Sequence, residues 1–202
     1  MLILYPLITT IIKQKLKIMP VLSNKSMAMP ASPIRKLVPF AEAAKDRGTT
    51  VYHLNIGQPD IAAPKQAIEA VTNSNLNLLP YGPSQGKLSY REKLVDYYSN
   101  HNINIKTDDI IVTTGASEAL TFALNVICDA DDEIIIPEPF YANYNGFASA
   151  ASVRVIPVIS EFNCQFQLPA MENISEKITS KTKAILLCNP SNPTGYVYSK
   201  KE

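Results

Sequence analysis

In the stretch "TTGASEAL", Thr113 to Leu120, a glycine and two small residues stand where an apolar run ends and a helical pattern begins. The first amides of a helix have no intrahelical acceptor, and the positive end of the helix dipole favours an anion there by up to ~2 kcal/mol. Gly115 allows close approach of the backbone to a phosphate, Ala116 and Ser117 open the helix, and Ser117 adds a hydroxyl donor. Ser117 acting only as a helix cap fits the same residues. The spacing is neither GxGxxG nor a Walker loop, so no nucleotide is specifically indicated.

Two further stretches carry unusual chemistry. In "PEPFYANY", Pro137 to Tyr144, two prolines and three aromatics follow an apolar run and offer a flat surface for a planar ring; packing into the core is the competing reading. In "CNPSNPTG", Cys188 to Gly195, Asn189 and Asn192 each precede a proline, which disfavours helical backbone and holds the side chains on an extended chain. Either carboxamide could meet a ligand oxygen, although a plain turn uses the same residues. A phosphate cradle, an aromatic plate and an amide donor together suit one planar aromatic phosphate.

The elements that must position these loops follow from the apolar pattern. The 202 residues are 46% hydrophobic and 18% charged, which is globular composition. Lys and Arg (19) nearly balance Asp and Glu (18), so no basic field for nucleic acid exists. Cys128, Cys164 and Cys188 are odd in number and lack Cys-x-x-Cys spacing, which fits small buried side chains in a reducing cytoplasm better than zinc or a disulfide framework. Residues 1–18 are apolar, but their lysines follow the apolar run. That is the wrong polarity for a signal peptide, and the run is too short to span a bilayer. They read as an upstream extension or misplaced start, with an interfacial anchor as the lesser reading. No membrane partner is expected.

Residues 19–62 read as an arm, with a helix around "IRKLVPFAEAAKDRG" stopped by Gly48 and a strand from Val51 to Ile56. Pro64 opens a helix bearing Ala67, Ile68 and Val71; Leu88, Leu94, Val95 and Tyr98 mark another. Then strands "DIIVTTGA", "DEIIIPEP", "SVRVIPVI" and "KAILLCNP" alternate with helices "SEALTFALNVICD", "YANYNGFASAA" and "MENISEKIT". Such alternation predicts an α/β layer, mainly parallel, with helices on both faces, and ligands outside the carboxyl ends of its strands.

The order "LNIGQPD", "YGPSQGKLSYREKL", "TTGASEAL", "DEIIIPEPFYANY" and "NPSNPTG" resembles the class I/II aminotransferases, pyridoxal 5′-phosphate enzymes of fold type I. The resemblance runs from about Ser32 to Glu202 and makes residues 63–202 the first part of the cofactor-binding large domain. It implies that Gly115, Ala116 and Ser117 form the phosphate turn, that Tyr141 stacks on the pyridine ring, and that Asn192 donates to the phenolic oxygen. Gly57 then meets the substrate carboxylate, and Tyr81 reaches the phosphate of the neighbouring subunit in a homodimer. The implied substrates are an amino acid and a 2-oxo acid. The shared cofactor motifs are also compatible with a fold type I lyase or decarboxylase, and the loops alone with a non-catalytic module binding a phosphate ligand.

The family's Schiff-base lysine, pyridine-binding aspartate and carboxylate-binding arginine follow the Asn-Pro-Thr-Gly loop. Here Gly195 is followed by "YVYSKKE", and Lys200 and Lys201 match no such motif, so no catalytic lysine is assigned. The resemblance also puts three later strands between those resembling "DIIVTTG" and "KAILLC", a span of ~19 Å. The expectation is therefore an incomplete sheet and a truncated fragment, inactive alone.

Overall fold

The computed structural model describes residues 21–202, so residues 1–20, with the apolar stretch read as an extension, lie outside the described residues. In chain order the described helices are α1 (Asn24–Ala28), α2 (Val38–Asp46), α3 (Lys65–Thr72), α4 (Leu88–Ser99), α5 (Ala116–Ile127), α6 (Asn143–Ala150) and α7 (Met171–Ser175). The strands are β1 (Glu133–Glu138), β2 (Arg154–Ile159) and β3 (Thr182–Ile185). The described residues divide into two compact units, residues 31–127 and residues 128–202 with residues 21–30.

The second of these units holds the sheet. Three consecutive β-branched isoleucines favour extended backbone in β1. That strand lies parallel to both neighbours, in the order β2-β1-β3. Ile134, Ile135 and Ile136 are at most 1% exposed, so both faces of the central strand are covered. Side chains alternate along a strand, and Ile135 packs with Val158 of β2 and Ile174 of α7, leaving Ile134 and Ile136 for the opposite face. Each such burial contributes roughly 2 kcal/mol. Pro157 is tolerated because β2 is an outer strand of the described sheet, and Pro137 lies beyond Ile135, where the register with β3 ends.

Polar groups close the sheet's starting edge. Glu133 is buried, with Arg154 Nη1 3.5 Å away and the Thr179 hydroxyl donating to it at 2.7 Å. Helix α1 packs on α6, and the Lys25 ammonium donates to the Ala150 carbonyl at 3.0 Å.

In the other unit α2 ends where glycine predicts. Gly48 N–H donates to Lys45 O at 2.8 Å and Thr49 N–H to Ala44 O at 3.0 Å, the paired bonds of a glycine helix stop. Helix α4 carries Arg91, only 7% exposed, whose guanidinium donates to the carbonyls of Gly86 and Thr107 and lies 3.9 Å from Asp108. Gly86 has φ +94°, and a Cβ there would lie 2.6 Å from Val112 Cγ2, so only glycine fits.

Two expected strands are absent. Val51–Ile56 passes through a turn, with Tyr52 82% and Leu54 95% exposed, and no strand among the described residues pairs with it. The apolar run ending at Val112 is extended at Ile110, but its backbone amides make only a local turn bond, Ile110 N–H to Thr107 O at 3.3 Å, and one isolated bond, Val112 N–H to Gln85 O at 3.0 Å, with no ladder among the described residues. β-Branched content favours extension, but a strand also needs a neighbouring ladder.

Candidate functional site

The turn before α5 is held by three bonds directed inward. Gly115 N–H donates to Thr113 O at 2.8 Å, the Thr113 hydroxyl donates to Gly115 O at 3.0 Å, and Thr114 N–H donates to Glu118 Oε2 at 2.6 Å. Gly115 sits at φ +81°, where a side chain would strain the backbone, and nothing lies within 4 Å of where its Cβ would be. Among the described residues, no acceptor meets the N–H groups of Ala116, Ser117 and Glu118. Ser117 lies inside the helix, and its hydroxyl has no hydrogen-bond partner among the described residues; Glu118 makes the contact that reaches back to Thr114. Exposed, unaccepted amides at a helix start suit an anionic oxygen ligand.

Tyr141 follows β1 and is half-buried. Its hydroxyl accepts from Asn143 Nδ2 at 2.7 Å, and its ring meets that of Tyr144 edge-on, 5.4 Å between centroids at 88°. Tyr144 stacks in turn with Phe140, at 6.1 Å and 26°. Burial pushes the Tyr144 phenol up to about 12, and the neighbouring Cys188 thiol adds to the shift. Tyr144 is core, as the packing reading expects, and Tyr141 is braced against it edge-on.

The loop after β3 separates two asparagines that spacing alone could not. Asn189 Oδ1 accepts from Tyr198 N–H at 3.1 Å, so its side chain belongs to the loop's own scaffold. Asn192 is exposed, and its carboxamide has no hydrogen-bond partner among the described residues. Ser191 N–H to Tyr196 O (2.8 Å) and Gly195 N–H to Ser191 O (2.7 Å) close the turn on either side of it.

Gly57 is exposed, with no atom within 4 Å of an added Cβ, and Tyr81 is fully exposed. Tyr141 and Asn192 share the sheet-bearing unit; Gly57, Tyr81 and the Gly115–Ser117 turn belong to the other. Arg91 and Glu118 were not singled out from sequence. Glu118 could have been, because it stands four residues after Thr114, near the spacing at which an acid reaches back to a helix start.

The described residues present unaccepted amides at the start of α5 in one unit and, in the other, an aromatic ring after β1 and a carboxamide after β3 with no partner among the described residues, donor types that a planar phosphate ligand takes. The family described as aminotransferase class I and II matches residues 49–202. The aspartate aminotransferase of Bacillus subtilis is 33% identical over 183 residues, 90% of this chain and 46% of that protein. The alanine aminotransferase structure from Pyrococcus furiosus superposes with a TM-score of 0.81 at 31% identity, covering 90% of this chain and 47% of that one. The aspartate aminotransferase structure from Thermotoga maritima gives 0.82 at 30% identity, covering 89% and 48%. The chain spans less than half the length of each of these relatives. This chain belongs to the class I and II aminotransferases, a family of pyridoxal 5′-phosphate-dependent enzymes with the fold type I α/β architecture.

Proposed function

We propose that this chain supplies cofactor-holding residues of a pyridoxal 5′-phosphate-dependent aminotransferase, which transfers an amino group from an amino acid to a 2-oxo acid. When bound, the cofactor supplies an electron sink for the substrate's α-carbon. The amides of Ala116 and Ser117 receive its phosphate, Gly115 admits the close approach, and the Ser117 hydroxyl adds a donor. Tyr141 orients the ring by stacking, and Asn192 donates its carboxamide N–H to the phenolic oxygen. Gly57 offers its backbone to the substrate carboxylate, and Tyr81 serves the neighbouring subunit of a homodimer.

The observation that carries this reading is the set of three amides at residues 116–118 that meet no acceptor among the described residues, next to a turn in which the Thr114 and Gly115 amides are already bonded. The free Asn192 carboxamide supports it independently. The chain's three cysteines are all unpaired, which supports a cytoplasmic setting. The relatives are named for aspartate and for alanine, so the substrate stays at the level of its class.

Titration with pyridoxal 5′-phosphate, followed by its absorbance, tests the proposal. The expected result is saturation at one cofactor per chain, displaced by inorganic phosphate. Absence of saturable binding would contradict it.

A further inference from the structure

Glu118 occupies an unusual position for an acid beside an anion site. Its carboxylate accepts the Thr114 N–H at 2.6 Å and so lies at the start of α5, beside the amides of Ala116 and Ser117. Two effects compete there. A carboxylate at a helix N-terminus stabilises the helix dipole, but it also repels an incoming phosphate. The bonding pattern decides between them. The carboxylate takes the amide of Thr114, one residue before the glycine, while the Thr113 hydroxyl and carbonyl clasp Gly115 from the other side. With Thr114 and Gly115 both committed inward, the next three amides are the ones left without acceptors among the described residues.

We infer that Glu118 is a positioning residue for the phosphate turn: by holding the Thr114 amide it fixes the Thr113–Gly115 turn in the shape that leaves the amides of residues 116–118 open to a phosphate. The inference rests on the pyridoxal phosphate reading above. Glutamine retains a side-chain oxygen able to accept the Thr114 N–H and carries no charge; alanine removes both acceptor and charge. The two substitutions therefore separate the hydrogen bond from the electrostatics.

The test uses the full chain as wild type, E118Q and E118A. It measures hydrogen exchange at the Thr114 amide without ligand and the dissociation constant for pyridoxal 5′-phosphate, with circular dichroism confirming that each variant folds. The expected result is slow Thr114 exchange in wild type and E118Q and fast exchange in E118A. Affinity falls tenfold or more in E118A and stays within threefold, or tightens, in E118Q. Equal Thr114 exchange in all three proteins would overturn the inference. If wild type and E118A bind the cofactor equally, the ligand reading stands and the role of Glu118 falls alone. If wild type shows a protected Thr114 but binds no cofactor, the ligand reading falls, and Glu118 is reduced to a helix cap.

Discussion

The Nε–H of Arg91 donates to the carbonyl of Gly86 at 3.2 Å, tying a buried cation on α4 to the one glycine that Val112 would not let become larger. The same guanidinium donates to the Thr107 carbonyl, so one side chain links the loop before α4 with the short 3₁₀ turn after it. Removing it leaves two carbonyls without their donor. R91A is expected to lower unfolding stability by about 2–3 kcal/mol, read from the urea midpoint at constant slope. R91K retains charge but loses the fork and falls between the two.

Gly86 itself gives a sharper contrast. G86A forces a side chain into φ +94° and against Val112, and is expected to cost about 1–3 kcal/mol. G57A, where an added Cβ meets nothing, is expected to change stability by less than about 0.5 kcal/mol. Chemical denaturation of the two variants side by side checks both values.

The two asparagines of the Asn-Pro loop are expected to divide stability from binding. N189A removes the acceptor of the Tyr198 amide and should cost about 1 kcal/mol of stability. N192A should leave stability within about 0.5 kcal/mol of wild type and weaken binding of pyridoxal 5′-phosphate. Thermal melts combined with cofactor titration separate these outcomes.

Alkaline pH reports on Tyr144. Its phenol is pushed up to about 12 by burial in the folded chain, against about 10 unfolded. A raised value means that the folded state holds the proton more tightly, so this contribution is complete below pH 10 and is lost as pH rises toward 12. Stability measured across that window should fall in wild type, and Y144F should fall less steeply.

How far these features could be read from the chain alone depended on what each requires. The β1 isoleucines were legible because a strand covered on both faces reads as a continuous apolar run, and the helices after Pro64, Lys87 and Gly115 because apolar residues recur there at helical spacing. Val51–Ile56 and the run before Thr113 have the same residue types, but pairing with a ladder is a property of distant residues and leaves no local mark. Gly115, Tyr141 and Asn192 were legible as candidates through loop chemistry. Spacing could not tell Asn189 from Asn192, since both precede proline, and only the Tyr198 bond separates them. Arg91 looks like a surface charge on an amphipathic helix until the carbonyls of Gly86 and Thr107 are seen around it.

The central proposal is that Ser117, Tyr141 and Asn192 serve a single pyridoxal 5′-phosphate. The dissociation constant of that cofactor for wild type, S117A, Y141A and N192A tests it most directly. The account predicts one saturable site per chain, weakened by each substitution and most strongly by Y141A and N192A. A site whose affinity is untouched by Y141A and N192A, or two sites that respond separately to them and to S117A, would contradict it.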